Sequence, residues 1–363
     1  MVAFSSLTRN DYLGKKILQY LDPQGIIRFQ QVSKECRRTV IANLPHLFPI
    51  HRMLKAFFDD PNDFRALQAY TGAIISGSFA LQFFSQVYYS DTDLDIYVHH
   101  RAKEILGSWI LGNGYTYVSH ETITTMADAE DSALAEEETD DSSLAAYHKA
   151  LHDLATVHTQ TLEYGQRILG VLEFRRKRGD VEKKVQIIVV EESPLAVIME
   201  FHSTCVLNFI TFDMAYCLYP KATLIYQTTL VLKNPDFLVR KALSKYQRRG
   251  FTCRRLIGEQ GSLFLSDSVR WVGDSQTWTL SLPPLPTFGY EVPYVSPAAT
   301  TTWSIVTCTQ DYHRIHFHLW ADEPSVFPLV IATDNMNEEV GDAVFEARYE
   351  LEETNRTVNG ADR

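Results

Sequence analysis

Long apolar runs are missing from this sequence, and so is the apolar core of a secretory signal. No stretch of about 18 consecutive apolar residues occurs, which predicts no transmembrane helix and no membrane partner. Charges such as Arg9, Lys15 and Asp22 interrupt the first residues, so we expect no signal peptide. The five cysteines are scattered and form no Cys-x-x-Cys pair, a pattern typical of reduced thiols. Together these absences predict a cytoplasmic or nuclear protein.

Side chains at the spacing of zinc ligands or of a catalytic nucleophile are also missing. His99, His100 and His202 have no partner at metal-ligand spacing, so structural roles are predicted for them. Ser203 and Cys205 lack the strand–turn–helix context of a nucleophile elbow, which argues against hydrolase chemistry.

Positive charge is absent from one acidic stretch. The formal net charge is −11, but eight acidic residues fall between positions 128 and 141, where no Lys or Arg occurs. Because this stretch has few large apolar groups to bury, we predict a disordered acidic insertion over residues 122–146. The overall acidity therefore says little about the folded surface.

Hydrophobic periodicity predicts an α/β (α+β) fold in three parts. Residues 1–58 have helical spacing, and Asp22-Pro23 is expected to start a new helix. Residues 64–230 alternate short apolar strands with helices, which predicts a mixed sheet flanked by helices. Residues 231–350 predict a basic helix and a β-rich C-terminal region, and residues 351–363 a disordered tail.

Within the middle part, individual elements are also predicted. Strands are expected at Ile74–Ile75 and Leu94–Val98, and a helix at Phe79–Phe84. A hairpin is expected around Gly179-Asp180, and the apolar segment Phe201–Leu218 is expected to be helical.

A Gly–Ser pair and two aspartates form the motif that carries chemistry. Gly77 and Ser78 stand between an apolar strand and a helix, where backbone N–H groups can approach a phosphate. Asp93 and Asp95 alternate along a strand, so both carboxylates point to one face, roughly 6–7 Å apart, and suit shared divalent cations. A second register, Asp91-Thr92-Asp93, is less apolar and ranks lower. The alternative is an ordinary α/β unit with an Asp-rich surface turn.

The order of these residues resembles the nucleotidyltransferase superfamily, in which Gly-[Gly/Ser], a helix and an Asp-x-Asp strand follow one another. The resemblance implies Mg²⁺ and a nucleoside triphosphate as cofactors, with Gly77 and Ser78 on the phosphates. It implies Asp93 and Asp95 as catalytic metal ligands. The family has a third carboxylate on a neighbouring strand, where this chain carries Gln186. The Gln186 carbonyl can coordinate a cation, but it brings no charge and cannot act as a base.

That substitution favours a non-catalytic recognition module. The alternative is an active Mg-dependent nucleotidyltransferase that transfers a nucleoside monophosphate to an acceptor. Similar segments also occur in a group of fungal proteins, and that resemblance implies no function. These segments are Ala80–Phe84, Asp93–Val98, Phe201–Thr204 and Leu218–Pro220.

A basic stretch extends from Lys233 to Arg255. Helical spacing places Lys241, Lys245, Arg248 and Arg249 on one face. The stretch is compatible with a phosphate or nucleic-acid clamp near the cleft, but we favour a solvated helix and do not predict a nucleic-acid partner.

The N-terminus resembles an F-box, a short three-helix motif. The residues that carry the resemblance are Leu7, Ile17, Leu18, Tyr20–Pro23, Ile26, Val32–Lys34 and Arg37. Thr8 stands where the family usually has proline. The resemblance implies docking on a Skp-type adaptor through an apolar helical face, and hence a role as substrate receptor of a ubiquitin ligase. The alternative is a helical cap packed on the next domain.

Overall fold

The computed structural model describes most of the chain between residues 11 and 318. The described residues are 11–90, 92–118, 140–156, 168–179, 181–191, 193–233, 237–255, 270–286, 302–307 and 313–318. The predicted tail at 351–363 and positions 122–139 of the predicted insertion lie outside them.

Helices dominate the N-terminal part of the chain. The α-helices of the described residues are α1 (Asp11–Gln19), α2 (Pro23–Val32), α3 (Lys34–Leu47), α4 (Ile50–Leu54), α5 (Pro61–Thr71), α6 (Gly77–Ser85), α7 (Lys103–Gly112), α8 (Asp140–Thr156), α9 (Pro194–Met199) and α10 (Phe237–Arg248). None of these helices is long and apolar enough to cross a membrane.

The start of α2 follows the sequence prediction. Asp22 is its N-cap, and its Oδ1 accepts a hydrogen bond from the Gly25 backbone N–H at 2.7 Å. Leu18 and Ile26 are buried in the same hydrophobic cluster as Phe83 and Trp278. The three N-terminal helices therefore pack against the body of the protein and share its core.

The strands form one mixed sheet and two small ones. They are β1 (Ile74–Ser76), β2 (Leu94–His99), β3 (Thr116–Val118), β4 (Ile168–Arg178), β5 (Val181–Val190), β6 (Asn208–Ile210), β7 (Met214–Cys217), β8 (Thr228–Val231), β9 (Thr252–Arg255), β10 (Arg270–Trp271), β11 (Trp278–Ser281), β12 (Thr302–Thr307) and β13 (His313–His318). The large sheet has the order β11-β7-β6-β1-β2-β5-β4-β3, in which β2 and β5 are parallel and the other neighbours antiparallel. The protein is thus a mixed α/β fold, as predicted.

Two sequence predictions are wrong. The segment Phe201–Leu218 is not a helix, because it holds a 3₁₀ turn at Thr204–Val206 and the strands β6 and β7. Both strands are almost wholly buried, so their apolar run is continuous and its period does not distinguish strand from helix. The predicted disordered insertion is wrong over positions 140–146, which begin α8. There the Ser143 hydroxyl accepts a hydrogen bond from the Tyr117 N–H at 2.7 Å.

Among the described residues, the predicted C-terminal region is not separate from the middle part. Strand β11 pairs with β7 at one edge of the large sheet. The predicted boundary at 230/231 falls inside β8, which pairs in parallel with β9.

The two faces of the large sheet differ at the start of β2. Leu94, Ile96 and Val98 point into the larger core cluster, whereas Tyr97 belongs to the cluster on the other face. Because side chains alternate along a strand, Asp95 shares the face of Tyr97. A group of polar side chains surrounds it there.

Candidate functional site

Gly77 sits at the turn from β1 into α6 and touches Asp95. Its φ is +68°, in the left-handed region that favours glycine. A Cβ atom at this position would overlap with the Asp95 Oδ2 atom. Ser76, the last residue of β1, pairs with Asp95 on β2, and its hydroxyl donates to the Asn208 carbonyl at 2.7 Å. The sequence-predicted Gly–Ser turn and the second aspartate are thus in direct contact.

Three side chains form a row across neighbouring strands on this face. Asp95 pairs with Gln186 of β5, and Gln186 pairs with Glu173 of β4. Strands are about 4.8 Å apart, so Glu173 and Asp95 lie roughly two spacings from each other. The sequence placed Gln186 next to Asp95 correctly but missed Glu173. The signal was present, because a two-residue hairpin turn at positions 179–180 sets residue 173 opposite residue 186.

Lys184 contacts two carboxylates, that of Glu173 in this row and that of Asp93, which precedes β2. Its Nζ is 2.7 Å from Asp93 Oδ2 and 3.7 Å from Glu173 Oε2. Burial lowers the pKa of Lys184, but the hydrogen bond and charge of Asp93, with Glu173, outweigh that effect and raise the pKa above its usual value. Glu173 also accepts hydrogen bonds from Arg175 Nε at 2.7 Å and from Gln186 Nε2 at 3.4 Å. Asp93 is therefore paired with Lys184 of β5, and Glu173 with Lys184 and with Arg175 of β4.

The Asp95 carboxyl has an unusual environment. Part of the residue reaches solvent, but burial of its carboxyl, with the nearby Asp93 charge, raises its pKa to about 7. Lys245 and Lys184 act in the opposite direction and lower that pKa. Near neutral pH this carboxyl is therefore partly protonated.

Helix α10 covers the start of α6. Arg249 donates from a terminal guanidinium nitrogen to the Ser78 hydroxyl at 2.9 Å. Its guanidinium carbon lies 4.1 Å from the centre of the Tyr89 ring and 5.6 Å from that of Tyr246. The prediction of a solvated basic helix is therefore wrong for the turn that carries Lys245 and Arg249, which are half-buried.

The other half of that basic face does follow the prediction. Lys241 and Arg248 are exposed.

The residues of this site do not fit a two-metal centre. Among the described residues, no group of three or more His, Cys, Asp or Glu side chains is arranged to hold a metal ion. The Lys184 ammonium already contacts Asp93, and Gln186 supplies no charge between Asp95 and Glu173. Asp93 precedes β2 instead of lying within it, and Asp91 of the lower-ranked register lies outside the described residues.

No protein-family model, curated protein or solved structure matches this chain. Its function therefore has to be inferred from the geometry of the site.

Two kinds of surface meet at the candidate site. The start of α6, with Ser78, Arg249 and Lys245, presents hydrogen-bond donors and positive charge. Just before β2, Asp93 presents an acid that is already paired with Lys184.

Proposed function

We propose that this chain is a nucleotidyltransferase-like recognition module that binds a nucleotide through its phosphates without metal-dependent transfer. The observation that carries the proposal is Lys184, whose ammonium lies between Asp93 and Glu173. Metal-dependent transfer requires the acids to hold divalent cations that activate the attacking hydroxyl and stabilise developing charge. A lysine at this position supplies one fixed positive charge and no Lewis acid.

Phosphate binding does not need those cations. The N-terminus of α6 offers backbone N–H groups, and the helix dipole favours an anion there. Lys245 of α10 and Arg249, the residue that follows this helix, add two positive charges beside Asp95 and Ser78. Arginine and lysine are the side chains that bind phosphate groups most strongly.

Calorimetric titration of each nucleoside triphosphate in EDTA tests this proposal. We expect saturable binding without Mg²⁺, and we expect Arg249→Gln to weaken it by about tenfold because a charge-assisted contact is lost. Arg248→Gln is the matched control, since it removes the same charge from the exposed residue next to Arg249. Circular dichroism of both variants checks that they are folded.

Two outcomes would contradict the proposal. Absence of binding to the folded wild-type protein would remove the nucleotide role. Binding that requires Mg²⁺ and disappears in Asp93→Asn/Asp95→Asn, together with transfer of a labelled nucleoside monophosphate, would favour the active enzyme instead.

A second proposal concerns the F-box-like helices α1–α3, which would dock a Skp-type adaptor of a ubiquitin ligase. Tyr20 is 86% exposed and Val32 is 63% exposed, although Leu18 and Ile26 are buried in the shared core. An adaptor would therefore have to use the outer side of these helices.

Co-purification with the adaptor tests the second proposal. We expect Val32→Asp to abolish capture, while Val181→Asp, at a valine 55% exposed on the β4–β5 hairpin, leaves it intact. Failure of the folded wild-type chain to bind the adaptor would remove the ligase role.

A further inference from the structure

A cavity of about 530 Å³ lies on the face of the large sheet opposite the row formed by Asp95, Gln186 and Glu173. Lys183 lines the cavity. Its neighbour Lys184 points towards Asp93 on the other face, because adjacent residues of a strand face opposite sides of the sheet. Phe79 and Phe83 of α6 form part of its wall, and Phe57, which follows α4, packs edge-on against Phe79 with ring centroids 5.8 Å apart. The cavity has the size of a small-molecule site.

The wall between α6 and β2 is held in place by side-chain hydrogen bonds. Gln82 Oε1 accepts from the Tyr89 backbone N–H at 2.9 Å and from the Thr92 hydroxyl at 3.1 Å. Gln86 Nε2 donates to the Leu47 carbonyl at 2.6 Å and ties this loop to the end of α3. These hydrogen bonds fix the wall of the cavity, and a fixed wall lowers the entropic cost of binding a ligand.

The lining combines aromatic rings with positive charge. Tyr88 and Tyr89 join the three phenylalanines, and Tyr88 is 75% exposed at the rim. Arg52 and Lys183 supply cations, and the Lys183 Nζ lies 5.2 Å from the centre of the Phe57 ring. The described residues that line the cavity include no Asp or Glu, and within the described chain neither cation forms an ion pair.

We propose that this cavity binds a small organic anion with a flat aromatic body. The rings would stack on that body, and Arg52 and Lys183 would pair with its carboxylate, sulfonate or phosphate. The cavity and the site around Asp95 lie on opposite faces of the sheet, and Tyr89, which lines the cavity and stacks against Arg249, lies between them.

Two dyes that share a naphthylamine body test the proposal by fluorescence. Anilinonaphthalene sulfonate carries the anionic group, and phenylnaphthylamine lacks it. We expect saturable, one-to-one binding of the sulfonate, weakened about tenfold by Arg52→Gln/Lys183→Gln, with less than about a twofold change for the neutral dye. Arg28→Gln, at an exposed arginine of α2, is the control for a change in overall charge.

A variant that fills the cavity completes the experiment. Ala56 is exposed at the lining, so Ala56→Trp blocks the space without entering the core and should abolish binding of both dyes. Near-ultraviolet circular dichroism verifies that this variant is folded; if it is not, the charge variants decide alone. The proposal is overturned if the sulfonate does not bind, if a folded Ala56→Trp binds it as the wild type does, or if Arg52→Gln/Lys183→Gln affects both dyes equally. Asp93→Asn/Asp95→Asn should leave dye binding unchanged.

Discussion

The contact between Gly77 and Asp95 predicts that Gly77→Ala is strongly destabilising. A φ of +68° costs an L-residue about 1–2 kcal/mol. The added Cβ would overlap with Asp95 Oδ2, and relieving such overpacking costs typically about 1–3 kcal/mol. The lower entropy of the unfolded alanine chain offsets about 0.4–1 kcal/mol of this. We therefore expect the free energy of unfolding to fall by about 2–4 kcal/mol.

Gly72 provides the matched control for the backbone term. Its φ is +65°, nearly that of Gly77, but a Cβ at Gly72 would meet no atom within 4 Å. Gly72→Ala therefore has the same conformational cost and no overlap. The difference between the two variants, measured by urea unfolding with tryptophan fluorescence, isolates the contact with Asp95 and should be at least about 1 kcal/mol.

A double-mutant cycle identifies the partner. Asp95→Ala removes the atom that the new Cβ would strike, so Gly77→Ala should cost less in that background by about 1–3 kcal/mol. Equal costs for Gly77→Ala and Gly72→Ala, or an Asp95 background that changes neither, would refute the contact as the reason for the glycine.

Four further predictions concern buried residues and the candidate site. Arg270 is 3% exposed and pairs with Asp274 through contacts of 2.8 and 2.9 Å, so Arg270→Met should lower the free energy of unfolding by about 3–5 kcal/mol in a urea titration. Burial raises the pKa of Asp274, but Arg270 and hydrogen bonds from Thr277 and Gln276 lower it below its usual value. The resulting stabilisation is present above the unfolded pKa of about 3.9 and is lost as pH falls through the lower folded pKa. The difference in the free energy of unfolding between wild type and Asp274→Asn should therefore shrink below about pH 4. Gly107→Ala should destabilise by about 1–3 kcal/mol despite the higher helix propensity of alanine, because its Cβ would collide with the Tyr147 hydroxyl; thermal unfolding that matches wild type would contradict this. Lys184→Met removes the cation between the paired acids, so calorimetry should detect Mg²⁺ binding in this variant more readily than in the wild type.

The local parts of the fold were predictable from sequence. The Asp22-Pro23 helix start, strand β2 and the β4–β5 hairpin depend on caps, alternation and turn residues that act over a few positions. The beginning of α8 could also have been found. Tyr147 and Leu151 are four residues apart and buried on one side, and acids at positions 140 and 141 suit a helix N-terminus.

The long-range contacts of the candidate site were harder to predict from the sequence. Arg249 reaches Ser78 across 171 positions of the chain, and no local pattern encodes that approach. The role of Lys184 depends on Asp93, just before β2, and on Glu173 of β4, and Glu173 was not singled out from the sequence. Sequence patterns identified the right strands, but which charges meet across them depended on register and on the packing of α10.

The Gly77–Asp95 contact gives a structural reason for part of the Gly–Ser and Asp-x-Asp motif. The glycine is required by its φ and by the close approach of Asp95, whether or not a metal is ever bound. The presence of Gly77 next to Asp95 is therefore accounted for by packing and does not by itself indicate catalysis. The informative positions are those with no such packing constraint, Lys184 and Gln186. There the chain has a cation and a neutral amide beside the acids, and a charge arrangement of this kind favours recognition of a ligand over metal-dependent transfer.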